Sequence, residues 1–324
     1  MKSTVMRFFD LLCFLLPFGC FPNALSAQEP YPYTSKYITL NIEQQAVKMA
    51  YMDTIPAKPN GHVVILFHGK NFDGYYWKEV ANHLLQKGYR VIIPDQVGWG
   101  KSDKPNIHYS FHLLAANSKQ LLDSLNVSSV SVMGHSIGGM LAARFALMYP
   151  KVVEKLVLED PIGLEDYKTF VPYTSVDEQF KTESAATYGS LKKYMLTYFP
   201  EWKPEYEELV RQQAVALNDP AFKQIAWANA LTYQMIYEQP VCYELKNIKS
   251  KTLIIIGLED RTIVGKDRLS KEEVSKHGQY PALGKKTHSL IKGSKLVALP
   301  GVGHIPHIQQ PGNFFGALDP FLAH

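Results

Sequence analysis

Short apolar runs and amphipathic stripes alternate along most of this chain. Tyr37 to Met52 alternates apolar and polar residues as an entry hairpin would, and Val63-Val64-Ile65-Leu66-Phe67 is a continuous apolar run of the kind found in buried strands. Helical spacing then predicts a helix over Tyr75 to Lys87, closed by Gly88, a strand over Arg90 to Ile93 and a helix over Phe111 to Leu125. Val130 to Met133 reads as a strand, Ile137 to Tyr149 as a helix, and Lys155 to Leu158 as another strand. This alternation predicts an α/β architecture, a mostly parallel central sheet with helices on both faces, whose strand C-termini carry the loops of a site.

The pattern changes between about Gly163 and Pro240. Aromatic-rich helical segments are broken at Pro172, Pro200, Pro204 and Pro220, with no apolar strand run among them. We expect a helical lid inserted into the α/β core, with 28–162 and 241–324 as the two parts of that core. The lid aromatics Tyr194, Tyr198, Phe199, Trp202, Trp227, Tyr233 and Tyr237 are candidates for pocket walls, although packing within the lid accounts for most such residues. Strands resume at Thr252 to Ile256 and Leu296 to Leu299. Between them, the polar, Lys-rich stretch Val264 to Ser294 is expected to be one helix plus a solvated excursion at the rim.

Candidate chemistry centres on Gly134-His135-Ser136-Ile137-Gly138, where an apolar strand runs into a helix. Flanking glycines leave room for a strained backbone and close packing, and the helix start adds positive potential beside the Ser136 hydroxyl. A serine nucleophile needs a histidine to take its proton and a carboxylate to orient that histidine. His304 follows the strand Leu296-Val297-Ala298-Leu299 behind a Gly-x-Gly turn, with His307 as its rival. Asp260 follows the strand Thr252 to Ile256 and a glycine turn, and Asp160, at the end of the earlier strand, is the alternative acid. Each of these residues also has a bland account as a loop histidine or a turn-forming aspartate.

The order Ser136, Asp260, His304 resembles that of the α/β-hydrolase superfamily. His68-Gly69-Lys70-Asn71 after a strand is similar to its oxyanion loop, and Asp95-Gln96-Val97-Gly98-Trp99-Gly100-Lys101-Ser102 to its Asp-x-x-Gly-x-Gly-x-Ser turn. The resemblance implies an oxyanion hole from the backbone N–H groups of Ile137 and Lys70, with Asn71, Tyr75 and Trp99 as candidate substrate contacts and His68 as loop support. Dehalogenases and epoxide hydrolases on this scaffold attack with aspartate; serine at 136 favours acyl transfer to water instead.

Composition narrows the picture further. With 324 residues, 46% hydrophobic and 20% charged, the chain can bury the core of one α/β unit plus an insertion. The net charge of +4 comes without a Lys/Arg block, so nucleic acid is not an expected partner. Lys2 and Arg7 precede Leu11-Leu12-Cys13-Phe14-Leu15-Leu16, and Ala24-Leu25-Ser26-Ala27 follows, so 1–27 is expected to be a secretory signal cleaved after Ala27 or Ser26. The mature protein is then periplasmic or secreted without stable membrane insertion; lipid attachment at Cys20 is the lesser alternative. Only Cys242 remains after cleavage, and no Cys/His cluster has metal-ligand spacing, so neither a metal nor another cofactor is expected.

The expected function is a serine hydrolase working through an acyl-enzyme on a small molecule, foremost a carboxylesterase or lactonase. Carbon–carbon bond hydrolysis of a dioxo acid, amide or peptide cleavage and acyl transfer are the alternatives within the fold. A non-catalytic ligand-binding protein is the alternative outside enzymes. An arginine holding a substrate carboxylate would favour carbon–carbon chemistry, with Arg144 and Arg211 as the available candidates.

Overall fold

A computed structural model describes residues 31–323; the expected leader, 1–27, lies outside the described residues. The chain enters as a hairpin, β1 (Ser35–Ile42) and β2 (Gln45–Thr54), joined through Glu43 and Gln44 at φ 46° and 64°, the left-handed pair that a tight two-residue hairpin turn requires. Strands β3 (Val63–Phe67), β4 (Arg90–Pro94), β5 (Val130–His135), β6 (Val153–Glu159), β7 (Lys251–Gly257) and β8 (Lys295–Leu299) complete one eight-stranded sheet in the order β1-β2-β4-β3-β5-β6-β7-β8. β2 runs opposite to the other seven strands, antiparallel to β1 and β4; every pair from β4 to β8 is parallel.

Period-two alternation divides the strand side chains between two cores. Ile65 and Phe67, Val130 and Val132, and Leu156 and Leu158 lie on the face that α2 (Phe111–Ser124) and α3 (Ile137–Met148) cover, and Ile254 and Ile256 continue the same face. Val64 and Leu66, Met133, Val157, Leu253 and Ile255 face α1 (Lys78–Gln86), which a 3₁₀ turn over Gly74–Trp77 precedes, and the C-terminal helix. Burial on both faces explains why these strands read as unbroken apolar runs.

Four helices, α4 (Val176–Ser184), α5 (Tyr188–Leu196), α6 (Glu207–Ala214) and α7 (Phe222–Glu238), lie between β6 and β7, where the lid was expected. Capping boxes at Ser175 and Thr187 start the first two, satisfying backbone N–H groups that helix starts leave open.

The stretch 264–294 departs from expectation. Besides α8 (Lys271–Lys276) it holds α9 (Tyr280–Leu290), which packs on β7 and β8 as the crossover helix between two parallel strands, so it is part of the core layer and not a rim excursion. Its inward positions are Tyr280, Gly284 and Thr287, a stripe too weakly apolar to register as helical periodicity. Gly284 allows the close approach: a Cβ there would lie 2.8 Å from Ile256 Cγ1. After β8 come α10 (Pro306–Gln309) and α11 (Pro311–Ala323), the helix that covers the second face. Among the described residues no helix is long and apolar enough to cross a membrane.

Candidate active site

Ser136 sits between β5 and α3 at φ 57°, ψ −121°, a conformation that side-chain-bearing residues rarely adopt. Its flanking glycines are required by packing: a Cβ at Gly134 would lie 2.0 Å from Gly138 O, and one at Gly138 would lie 2.0 Å from Phe67 O. The turn thus stands in backbone contact with β3. The Ser136 N–H donates to Glu159 O at 3.1 Å, which ties the turn to β6 as well.

The structure brings Ser136, His304 and Asp260 together from three strand ends. Ser136 Oγ is 3.0 Å from His304 Nε2, and His304 Nδ1 is 2.6 Å from Asp260 Oδ2. A carboxylate only accepts, so Nδ1 carries the proton and Nε2 presents its lone pair to the Ser136 hydroxyl. The other Asp260 oxygen accepts the Thr262 N–H at 2.8 Å. His304 is pinned through its backbone, donating to Tyr198 O at 2.8 Å and accepting from His135 Nε2 at 2.6 Å. Burial keeps His135 well below the ordinary histidine range, with the neighbouring His304 and His307 acting in the same direction, so its ring is a neutral brace.

The rivals occupy other positions. His307 donates from both its backbone N–H and Nδ1 to the buried Glu159 Oε1 at 2.8 Å, which turns it away from Ser136. Asp160 lies beside Asp260 and accepts from the Gly257 N–H. Arg144 pairs with Glu244 and Arg211 with Glu208, neither at the Ser136 centre.

Ile137 opens α3, so its N–H has no acceptor inside the helix and is presented beside Ser136. Across from it, the loop 68–73 is held in shape by Phe72 N–H to Gly69 O at 3.2 Å and by Trp99 Nε1 donating to Lys70 O at 2.7 Å. His68 accepts from the Gln96 N–H at 3.1 Å, and burial lowers its pKa, consistent with loop support. Lys70, Asn71, Tyr75 and Trp99 line a cleft of about 180 Å³ that also meets α6 and the start of α7. The Ser136 side chain is not among its walls, so this cleft adjoins the 68–73 loop and not the hydroxyl itself.

Ser136 is only 4% exposed. The Tyr198 ring stands 4.6 Å from that of His304, and its hydroxyl accepts from Asn71 Nδ2 at 3.0 Å, so one residue of the helical insertion covers both the His304 ring and the 68–73 loop. Tyr194 packs edge-on against Tyr198 at 5.4 Å. The other aromatics of the insertion lie elsewhere: Phe199 and Trp202 pack with Tyr206, Trp227 bonds Asn106, Tyr233 bonds Arg268, and Tyr237 bonds Val171 O. Sequence reasoning named Tyr198 only as one of seven aromatics and passed over His135 altogether, although His135 adjoins Ser136 in the motif. Among the described residues no group of three or more His, Cys, Asp or Glu side chains is arranged to hold a metal.

Comparison with known proteins gives consistent results. The model of the family described as alpha/beta hydrolase fold matches residues 62–311. The chain is 28% identical over 278 residues to a 2-hydroxy-6-oxo-2,4-heptadienoate hydrolase of Pseudomonas putida, covering 81% of this chain and 90% of that protein. It is 28% identical over 210 residues to a 2-hydroxy-6-oxo-6-phenylhexa-2,4-dienoate hydrolase of Comamonas testosteroni, covering 63% and 73%. The crystal structure of a protein described as a probable hydrolytic enzyme from Pseudomonas aeruginosa PAO1 superimposes with a TM-score of 0.88 at 43% identity, over 90% of this chain and 95% of that one.

Proposed function

This chain belongs to the α/β-hydrolase fold family, and from that premise we propose that it is a serine hydrolase that cleaves small carbonyl substrates through an acyl-enzyme. The single observation that supports this reading most is the unbroken relay from Asp260 through His304 to Ser136, with contacts of 2.6 and 3.0 Å. As Ser136 Oγ attacks the carbonyl carbon, its proton passes to His304 Nε2, and Asp260 faces the imidazolium that forms. The Ile137 and Lys70 N–H groups stabilise the negative oxygen of the tetrahedral intermediate without reorganising. Collapse breaks the bond to the leaving group, which takes the proton from Nε2. Water then attacks the acyl-enzyme with the same histidine as base, and acid and free serine are released.

An ester or lactone suits this machinery directly, because an alkoxide leaving group needs only the one proton that His304 holds. A second reading, hydrolysis of a carbon–carbon bond next to a ketone in a dioxo acid, draws support from the Pseudomonas putida and Comamonas testosteroni relatives, whose names describe hydrolases of oxo-dienoates. Neither Arg144 nor Arg211 is available near Ser136 to hold the carboxylate of such a substrate, so the ester or lactone reading stands first.

A fluorophosphonate probe tests the shared chemistry. Wild-type protein is expected to be labelled and Ser136→Ala to remain unlabelled, with ester turnover falling by about four to six orders of magnitude. An unlabelled wild type leaves the ligand-binding alternative. Values of kcat/KM on matched esters, lactones and dioxo acids then decide between the two readings. Export belongs to the same proposal, and an N-terminus at residue 27 or 28 in protein recovered outside the cytoplasm is the result expected.

A further inference from the structure

Asp160 is a buried acid beside the site that the proposed reaction does not use. It is 0% exposed, follows β6 and has no cation within ion-pair distance among the described residues. Its two oxygens share one donor, the Gly257 N–H at 3.0 Å from each, while the Gly257 carbonyl accepts the Asp260 N–H at 3.2 Å, so the two acids neighbour each other across Gly257. Its backbone is held at φ 34°, where residues other than glycine are uncommon, with its own N–H bonded to Ile255 O at 2.9 Å.

Two neighbouring carboxyl groups, both buried away from water, do not both ionise, so one of them keeps its proton. Its place follows from the donors each receives. Asp260 accepts from His304 Nδ1 and from the Thr262 N–H, one on each oxygen, whereas Asp160 has only the shared Gly257 N–H. The negative charge therefore resides on Asp260 and the proton on Asp160. We propose that Asp160 is a positioning residue, whose protonated carboxyl donates a hydrogen bond to Asp260 and fixes that carboxylate in the orientation that aligns His304 on Ser136.

The surroundings agree. Burial, and then the charge of Asp260, push the Asp160 carboxyl well above the usual carboxylate range. The other groups facing it offer no positive charge: Glu159 is engaged by His307, and burial raises the Tyr76 and Tyr280 phenols so that both stay neutral. A bond donated to Asp260 draws charge from the carboxylate that faces the imidazole, so Asp160 acts on the proton affinity of His304 as well as on its placement.

This inference rests on the serine-hydrolase reading, and its test separates the two. Asp160→Asn keeps both bonds, its amide oxygen accepting from Gly257 and its amide N–H donating to Asp260, and asparagine tolerates a positive φ. Asp160→Ala removes the donor. On an ester that labelled wild-type enzyme turns over, Asp160→Asn is expected to keep kcat within about threefold and the acid limb of kcat/KM in place. Asp160→Ala is expected to lose about tenfold or more in kcat with KM unchanged, and its acid limb to move up by about half to one pH unit. The downfield proton resonance of the His304 Nδ1–H should shift in Asp160→Ala and hold in Asp160→Asn. Loss of activity in Asp160→Asn as deep as in Asp260→Asn would place the required anion at 160 and overturn the proposal, as would an Asp160→Ala enzyme with unmoved acid limb and resonance. If Asp160→Ala does not fold, Asp160→Asn decides alone. If wild type is not labelled, the functional reading fails, and the resonance, which needs no turnover, still reads the contact.

Discussion

In the proposed reaction Lys70 acts through its backbone N–H, and its side chain is engaged in a different interaction. The ammonium reaches Glu183 of α4 at 3.4 Å, with both groups half-buried, while the carbonyl is fixed by Trp99. Lys70→Ala should therefore keep kcat within about threefold, whereas Lys70→Pro, which removes the N–H, should lose about 10² to 10³ in kcat. Equal losses in steady-state turnover of a model ester would mean that the side chain, and not the amide, serves the reaction. The contrast also explains what could be read in advance at this scale. Ser136, Asp260 and His304 stood out because each follows an apolar run and a glycine turn, a pattern written in a few adjacent residues. Tyr198 stands over His304 because of where α5 ends, and nothing adjacent to it in sequence records that.

The elements meet at the site backbone to backbone. A Cβ on Gly257, at the end of β7, would lie 2.0 Å from Gly303 O, and a Cβ on Gly303 would lie 2.2 Å from Tyr198 O. The Asp260 loop, the His304 loop and the end of α5 are thus three main chains in direct contact, with His304 N–H bonded to the Tyr198 carbonyl at 2.8 Å. Gly303→Ala must push the Tyr198 segment or the His304 loop aside. A displacement approaching 1 Å costs on the order of 10²-fold in kcat. We expect that loss, together with a lower melting temperature and faster proteolysis within 197–206; wild-type kcat in a folded Gly303→Ala protein would show that the contact is dispensable. The same close packing sets what was legible among the elements. The strands were read from apolar runs because both of their faces are buried, and the helical insertion was read from prolines and missing strands. The place of α9 in the core layer was missed because it approaches β7 through Gly284 and Thr287, and a glycine that permits contact leaves no apolar mark.

For the molecule as a whole, burial of acids and of histidines sets opposite slopes of stability against pH. His68 and His135 are held neutral by burial, so the stability they allow is present above the ordinary histidine value and declines as pH falls below it. Asp73, half-buried in the wall of the cleft, has the reverse sign: burial and then the adjacent Asp95 carboxylate raise it from 3.8 to about 6. Below the lower value both folded and unfolded chains hold the proton and the group costs nothing. Between the two values the unfolded chain ionises first, so stability falls as pH rises, and above about 6 the folded protein carries the full cost of the anion. Asp73 also caps the turn that follows it, accepting the Tyr75 N–H at 3.0 Å, and asparagine caps as well as aspartate does. Asp73→Asn should therefore melt above wild type at pH 7.5, and the gap should close as pH falls towards 4. His68, which loses the support of that anion in the variant, acts in the same direction at acid pH. Comparing the two proteins at each pH cancels the groups they share, so a gap that stays constant across the range would mean that Asp73 carries the same charge folded and unfolded.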